Sequence, residues 1–320
     1  MRALLLTVVL FVTLHSAPLP ATLAKEVYLA NINASIVFTS QDGLSSGIYY
    51  FNKIDVVMRM YNLPLTYQFD PLNEYSNLFL LFDLAYSDTR NNSVVQNIDP
   101  STQPDTPILQ VDNRLQTYVG GIGAGVRYRL GKHSDFSLGG EILYSRVGVS
   151  VRSSDGLNSS DIENFFKDDF NENYSYKLFA QYDYQRLYRG YQTYFKLNYK
   201  LYKTLSKLNL VDIVNDVIGD VVSLNSQSYV ASLSTGVETA PLICYHGMNL
   251  TLEPFLKANY IWGDLAKVTQ VTNYGTVGLS AYWNTPEKSA YISRYFIEPS
   301  WSRGDGLTGY NLSFGFSLDF

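Results

Sequence analysis

Tyr310-Asn-Leu-Ser-Phe-Gly-Phe-Ser-Leu-Asp-Phe320 alternates apolar and polar residues without interruption. Tyr310, Leu312, Phe314, Phe316, Leu318 and Phe320 fall on one side, and Asn311, Ser313, Gly315, Ser317 and Asp319 on the other. Successive side chains of a strand point to opposite faces, so the segment predicts a strand with one greasy and one polar face. A single such window decides little. Repeated along a chain, with apolar residues outward and polar ones inward, it is the signature of a transmembrane β-barrel.

The pattern does recur. Tyr174, Tyr176, Leu178, Ala180, Tyr182 and Tyr184 alternate with Ser175, Lys177, Phe179, Gln181 and Asp183. Phe195, Leu197, Tyr199 and Leu201 alternate with Lys196, Asn198 and Lys200. In 118–130, Tyr118, Ile122, Ala124, Val126, Tyr128 and Leu130 oppose Gly121, Gly123, Gly125, Arg127 and Arg129. Further strands are expected near 33–39, 54–69, 77–88, 135–152, 227–240, 247–263, 272–284, 289–302 and 308–320, which makes twelve. The fold class is all-β: an antiparallel up-and-down transmembrane barrel of twelve strands, with ten or fourteen left open.

The connections sort themselves. Long ones, at 89–113, 153–173 and 205–226, follow strands three, five and seven. Short ones follow the even strands, around Asp70-Pro71, 131–133, 187–189, 241–247 and 285–287. Outer-membrane barrels have an even strand number, long outer loops and short periplasmic turns. Two segments fit less well. Pro254 interrupts a good strand and would need a bulge or bend. The 54–69 segment contains Pro64 and changes apolar phase near Met60.

The chain start predicts export. Arg2, an apolar stretch over 3–14 and small residues at Thr22 and Ala24 suit a cleaved signal peptide, residues 1–24. Residues 25–320 then form a single barrel domain. The apolar stretch is too short to span a bilayer, and no later run approaches the roughly 18–20 residues a membrane helix needs. Mean hydropathy lies just below zero, as expected where lipid-facing and lumen-facing residues average out. Tyrosine outnumbers phenylalanine, 27 to 17, and tyrosine suits a membrane–water boundary.

Charge and cysteine content exclude several functions. The net charge is −5, and it becomes one unit more negative once Arg2 is lost. Nucleic acid is therefore not an expected partner, since it calls for a basic stripe. Cys244 is the only cysteine and can form neither an intrachain disulfide nor a cysteine-based metal site. His133 and His246 are the histidines left after the leader, and both fall in expected periplasmic turns. A histidine-dependent hydrolase would lack its base at the outer rim. The glycines of 120–125 lie inside an alternating strand, so a phosphate loop fails its context test; small residues there leave room in the lumen or let the strand bend. No catalytic, cofactor or metal residues are assigned, and the chain is not expected to be an enzyme.

Two features bear on the lumen. In 205–224, Leu210, Ile213, Val214, Val217, Ile218, Val221 and Val222 recur at three- and four-residue steps, predicting an amphipathic helix in one outer loop. It would cover other loops, plug the lumen or meet a partner. The inward positions carry Arg127, Arg129, Lys177, Lys196, Lys200, Lys257 and Arg294 against Asp83, Glu141, Asp183, Glu238, Glu253, Glu298 and Asp319. The signs balance, which predicts a polar interior and, at most, a small or occluded channel.

The terminal strand resembles the signal that Gram-negative outer-membrane proteins present to the barrel-assembly machinery, with Phe320 the terminal aromatic and Phe316, Phe314, Leu312 and Tyr310 on the apolar face with Leu318. The whole chain resembles solitary autotransporter-like barrels, which implies location and fold but no activity. Autotransporters carry a passenger joined by a helix in the pore. Here the first strand is expected too close to the cleavage site to leave room for one. The expected function is a small or gated passive channel, or a structural surface protein, in the outer membrane of a Gram-negative bacterium. Its partners would be membrane lipid and, during biogenesis, the assembly machinery. The alternative is an anchored binding module acting through loops 89–113, 153–173 and 205–226.

Overall fold

The computed structural model describes residues 44–95, 109–153, 170–207, 223–285 and 292–318. The alternating segments become β1 (Leu44–Phe51), β2 (Val56–Gln68), β3 (Ser76–Val95), β4 (Leu109–Arg129), β5 (Ser134–Ser153), β6 (Phe170–Tyr188), β7 (Tyr191–Lys207) and β8 (Ser223–Glu238). After these come β9 (Ile243–Tyr245), β10 (Met248–Gly263), α1 (Asp264–Thr269), β11 (Asn273–Asn284), β12 (Ile292–Gly304) and β13 (Leu307–Leu318). Each wall strand pairs antiparallel with its neighbour, and β8 pairs with β10 while β9 is a short spur on β10. β1 pairs with β13, from Leu44↔Phe314 to Phe51↔Leu307, which closes a wall of twelve strands. Closure leaves no edge with unpaired backbone groups, the condition for a sheet to cross lipid.

The faces are inverted relative to a water-soluble barrel. Tyr310, Leu312, Phe314 and Phe316 are 42–57% exposed, while Asn311 and Ser313 between them are buried. Leu84, Ile122, Ile142, Leu178, Leu197, Leu233, Leu256, Leu279, Ile297 and Leu312 supply one exposed aliphatic side chain from each of ten wall strands, β3 to β8 and β10 to β13. Aromatic pairs border this band on one side: Tyr61 with Tyr86, Tyr86 with Tyr118, Tyr144 with Tyr174, and Trp262 with Tyr199, Tyr229 and Tyr260. Tyr67, Tyr75, Tyr128, Tyr188, Tyr191, Trp283, Tyr295 and Phe316 border the other. An apolar belt between two aromatic girdles is the surface a bilayer solvates. No described helix could cross a membrane.

The strands depart from expectation at their ends. The first described strand is Leu44–Phe51; the expected strand at 33–39 lies outside the described residues. The expected leader, residues 1–24, and Phe320 also lie outside them. β3 and β4 stay paired out to Val95↔Leu109, so the expected long connection 89–113 contracts to 96–108. Likewise 153–173 and 205–226 contract to 154–169 and 208–222. The helix predicted over 205–224 therefore falls mostly outside the described residues, and its ends, 205–207 and 223–224, are strand. The described helix is α1, in the connection from β10 to β11 at the same end of the barrel.

Interior prolines are accommodated without bulges. The β8–β10 ladder stops at Phe255↔Gly236, beside Pro254, and resumes in the same register as Thr239 N–H donating to Leu252 O at 2.8 Å. The β11–β12 ladder likewise skips between Gly278↔Ser300 and Ala281↔Ile297 at Pro299. A proline has no N–H to give, so one rung is lost and the register survives.

Candidate functional site in the barrel lumen

The interior has two storeys. At the end bearing the long connections, inward positions supply an apolar cluster: Tyr49 and Phe51 of β1, Val56, Met58 and Met60 of β2, Val119 of β4, Leu143 and Val147 of β5, and Tyr202 of β7. Buried small polar residues, among them Ser87, Thr117, Ser145, Ser175, Thr204 and Ser228, alternate with these on the same inward faces. Val230, Ile261, Val271 and Leu307 complete the cluster, and Leu265 and Ala266 of α1 pack into it. Tyr49 and Tyr202 come from opposite walls, so the cluster bridges the lumen. Leu265 N–H donates to Ser228 Oγ at 3.1 Å, and Asp264 accepts from Gln227 N–H at 2.8 Å, fixing α1 against β8. This plug was not expected from a balanced, polar interior. Its trace in the sequence is the phase change in 54–69: Val56, Met58 and Met60 face the plug, whereas Tyr61, Leu65 and Tyr67 face lipid.

Below the plug the lumen is polar and built around glycine. Lys177 Nζ on β6 lies 2.5 Å from Glu141 Oε2 on β5 and 3.1 Å from Asp83 Oδ2 on β3. β4 passes between those carboxylates with Gly121 opposite Asp83 and Gly123 opposite Glu141. A Cβ on Gly121 would come within 2.3 Å of Glu141 Oε1, and one on Gly123 within 2.5 Å of the Gly140 carbonyl. Gly125 and Gly139 continue the trough, and the rings of Phe79 and Phe179 lie in it, 6.1 Å apart. The glycine run thus makes room for lumen side chains.

A second network joins the opposite wall. Arg294 on β12 pairs with Glu238 on β8, donates from Nε to Asn284 Oδ1 at 2.7 Å, and lies 4.0 Å over the Tyr282 ring. Thr251 donates to Glu238, Tyr282 to Glu253, and Ser280 to Glu298 at 2.6 Å. On β6 and β7, Gln181 bridges Asp183 and Asn198, with Lys196 3.9 Å from Asp183. Arg127, Lys200 and Lys257 are half-buried on inward positions, while Arg129 is exposed at the short-turn mouth. Asp319 lies outside the described residues.

The remaining singled-out residues sit away from the lumen. His133 packs near Tyr184, and His246 stands in the β9–β10 turn against Tyr245; both are at the short-turn end. Cys244 is exposed on β9 and free. Among the described residues no cluster of histidine, cysteine or acidic side chains could hold a metal ion.

This architecture matches known barrels. The fold is that of the β-domain of the Bordetella autotransporter BrkA, at 7% identity and a TM-score of 0.54, over 86% of this chain and 96% of that one. It also matches the translocator domain of NalP from Neisseria meningitidis, at 13% identity and 0.53, over 94% and 100%. The transport unit of AIDA-I from Escherichia coli matches at 9% and 0.52, over 92% and 98%. No family model and no curated protein matches the sequence. The chain is a closed twelve-stranded β-barrel of the outer-membrane type.

Proposed function

We propose that this chain is a structural barrel of the outer membrane that is sealed at rest, with the long connections facing outward. The observation that carries this reading is the apolar cluster bridging Tyr49, Tyr202 and Ile261 with Leu265 of α1. An ion crossing such a close-packed and largely apolar layer would shed water that the few buried hydroxyls do not replace. The test is conductance of the purified, heat-modifiable protein in a planar bilayer. The sealed reading expects silence, and discrete steps from the unaltered protein would overturn it.

A gated channel is the second reading, favoured by the construction of α1. Gly263 (φ 88°) precedes it and Gln270 (φ 55°) follows it, so residues of positive φ bracket a six-residue element and would serve as its hinges. Voltage-dependent steps that vanish when α1 is cross-linked to β8 would support it.

Export through residues 1–24 and assembly through the terminal strand belong to the same proposal. Phe320→Ala should reduce the folded barrel recovered from the outer membrane; an unchanged yield would contradict the assembly role.

A further inference from the structure

The outer wall carries a groove beside a basic cluster, and we propose that it binds a phosphorylated acyl-saccharide lipid of the outer leaflet, of the lipid A type. The groove, of about 810 Å³, is lined by Leu44, Leu63, Leu84, Gly120 and the rings of Tyr61, Tyr86, Tyr118 and Tyr144, with Arg146 at its upper edge. These side chains occupy outward positions of β1 to β5. Gly120 makes the dent: a Cβ there would meet only Leu84, at 3.9 Å. The lining is hydrocarbon and aromatic, and it opens on the face that lipid covers.

The cations lie immediately on the long-connection side of the tyrosine girdle. Arg59 stands opposite Asp88 across β2 and β3, and Arg90 opposite Arg114 across β3 and β4. Two arginines directly opposed on one face repel. They are held by one carboxylate, with Arg114 forked onto Asp88 at 2.7 and 3.0 Å and Arg90 at 3.2 Å. Arg146, opposite Glu172, extends the cluster to β5. Among the described outward residues here, four guanidinium groups face two carboxylates. A guanidinium fork matches a phosphate, and an anion would relieve the residual repulsion. Charge above and hydrocarbon below, at the boundary the tyrosines mark, fit a lipid whose phosphates sit on its headgroup. The placement rests on the outward orientation of the long connections.

Native mass spectrometry of the refolded full barrel, released from micelles containing diphosphoryl lipid A, tests this directly. The unaltered barrel should retain the lipid. R59Q/R114Q/R146Q should retain at least tenfold less while keeping its heat-modifiable migration, and K132Q, at the opposite end, should match the unaltered protein. Gly120→Leu fills the groove without touching the charges and should also lose retention, which keeps the test decisive if the triple variant folds poorly. Retention by both variants equal to the unaltered barrel would overturn the proposal. So would equal retention of phosphatidylglycerol, or full competition by inorganic phosphate at matched concentration, which would reveal a general anionic surface or a phosphate-ion site.

Discussion

Lys177 reaches Asp83 from three strands away, Nζ to Oδ2 at 3.1 Å, while holding Glu141 on the adjacent strand β5. The lysine side chain is 7% exposed and that of Glu141 is fully buried. Removing one member of a buried ion cluster leaves charges without compensation and costs about 3–5 kcal/mol. Lys177→Met preserves volume and deletes the cation, so it should destabilise the folded barrel by about that amount, measured as urea unfolding in lipid vesicles. D83N/E141Q/K177M, which deletes all three charges, should recover most of the loss. A triple variant as unstable as Lys177→Met would show that the lysine contributes packing rather than charge.

Gly121 is the position that lets this cluster form. A side chain there collides with both Glu141 and Leu143, whose Cδ2 lies 2.4 Å from the site of the missing Cβ. Gly121→Val should cost about 1–3 kcal/mol by overpacking. Gly120→Ala, on the outward face of the same strand, should be nearly neutral by the same unfolding measurement. Equal costs would mean that both changes act through the backbone and not through the lumen.

Neighbouring residues on β7 test the two faces. Leu197 is 48% exposed on the lipid side, whereas Asn198 points inward and donates to Gln181 Oε1 at 3.0 Å. Leu197→Arg should cost about 2–4 kcal/mol if it lies at the bilayer midplane, because a charge there is taken out of water. Asn198→Arg enters a polar lumen and should be far milder. Comparable losses would contradict the assignment of faces.

The wall was legible in the sequence because lipid imposes a rule on every strand: apolar out, every second residue. That rule placed Leu178, Leu197, Leu256 and Phe314 on the outside and Lys177, Glu141 and Arg294 on the inside. The plug was not legible, because it breaks the rule. Where Val56, Met58, Met60, Leu143 and Val147 point inward, strands are apolar on the lumen side too, and period two no longer distinguishes lumen from lipid. The phase change near Met60 was visible, but its meaning depends on Tyr202 and Ile261, which only the closed sheet brings near. α1 was equally hidden. Six residues give too little periodicity to mark a helix, and its burial comes from tertiary contacts with β8 and β10. Partners three strands apart, such as Lys177 and Asp83, leave no local signature at all.

Leu265 is the residue on which the seal can be tested most sharply. It is fully buried in the plug, on an element held by Ser228 and Asp264 contacts, whereas Lys267 on the same helix is exposed. Leu265→Asp places a carboxylate within the buried apolar cluster, where an unpaired polar group costs at least about 1–3 kcal/mol and an ionised one more. Displacing α1 relieves that cost by returning the carboxylate to water. Cells producing Leu265→Asp should therefore admit a solute normally excluded by the outer membrane, read as increased uptake of a fluorescent dye, while Lys267→Asp should leave uptake at the level of the unaltered barrel. If a folded Leu265→Asp barrel admits no more dye than Lys267→Asp, α1 is not the element that closes the lumen.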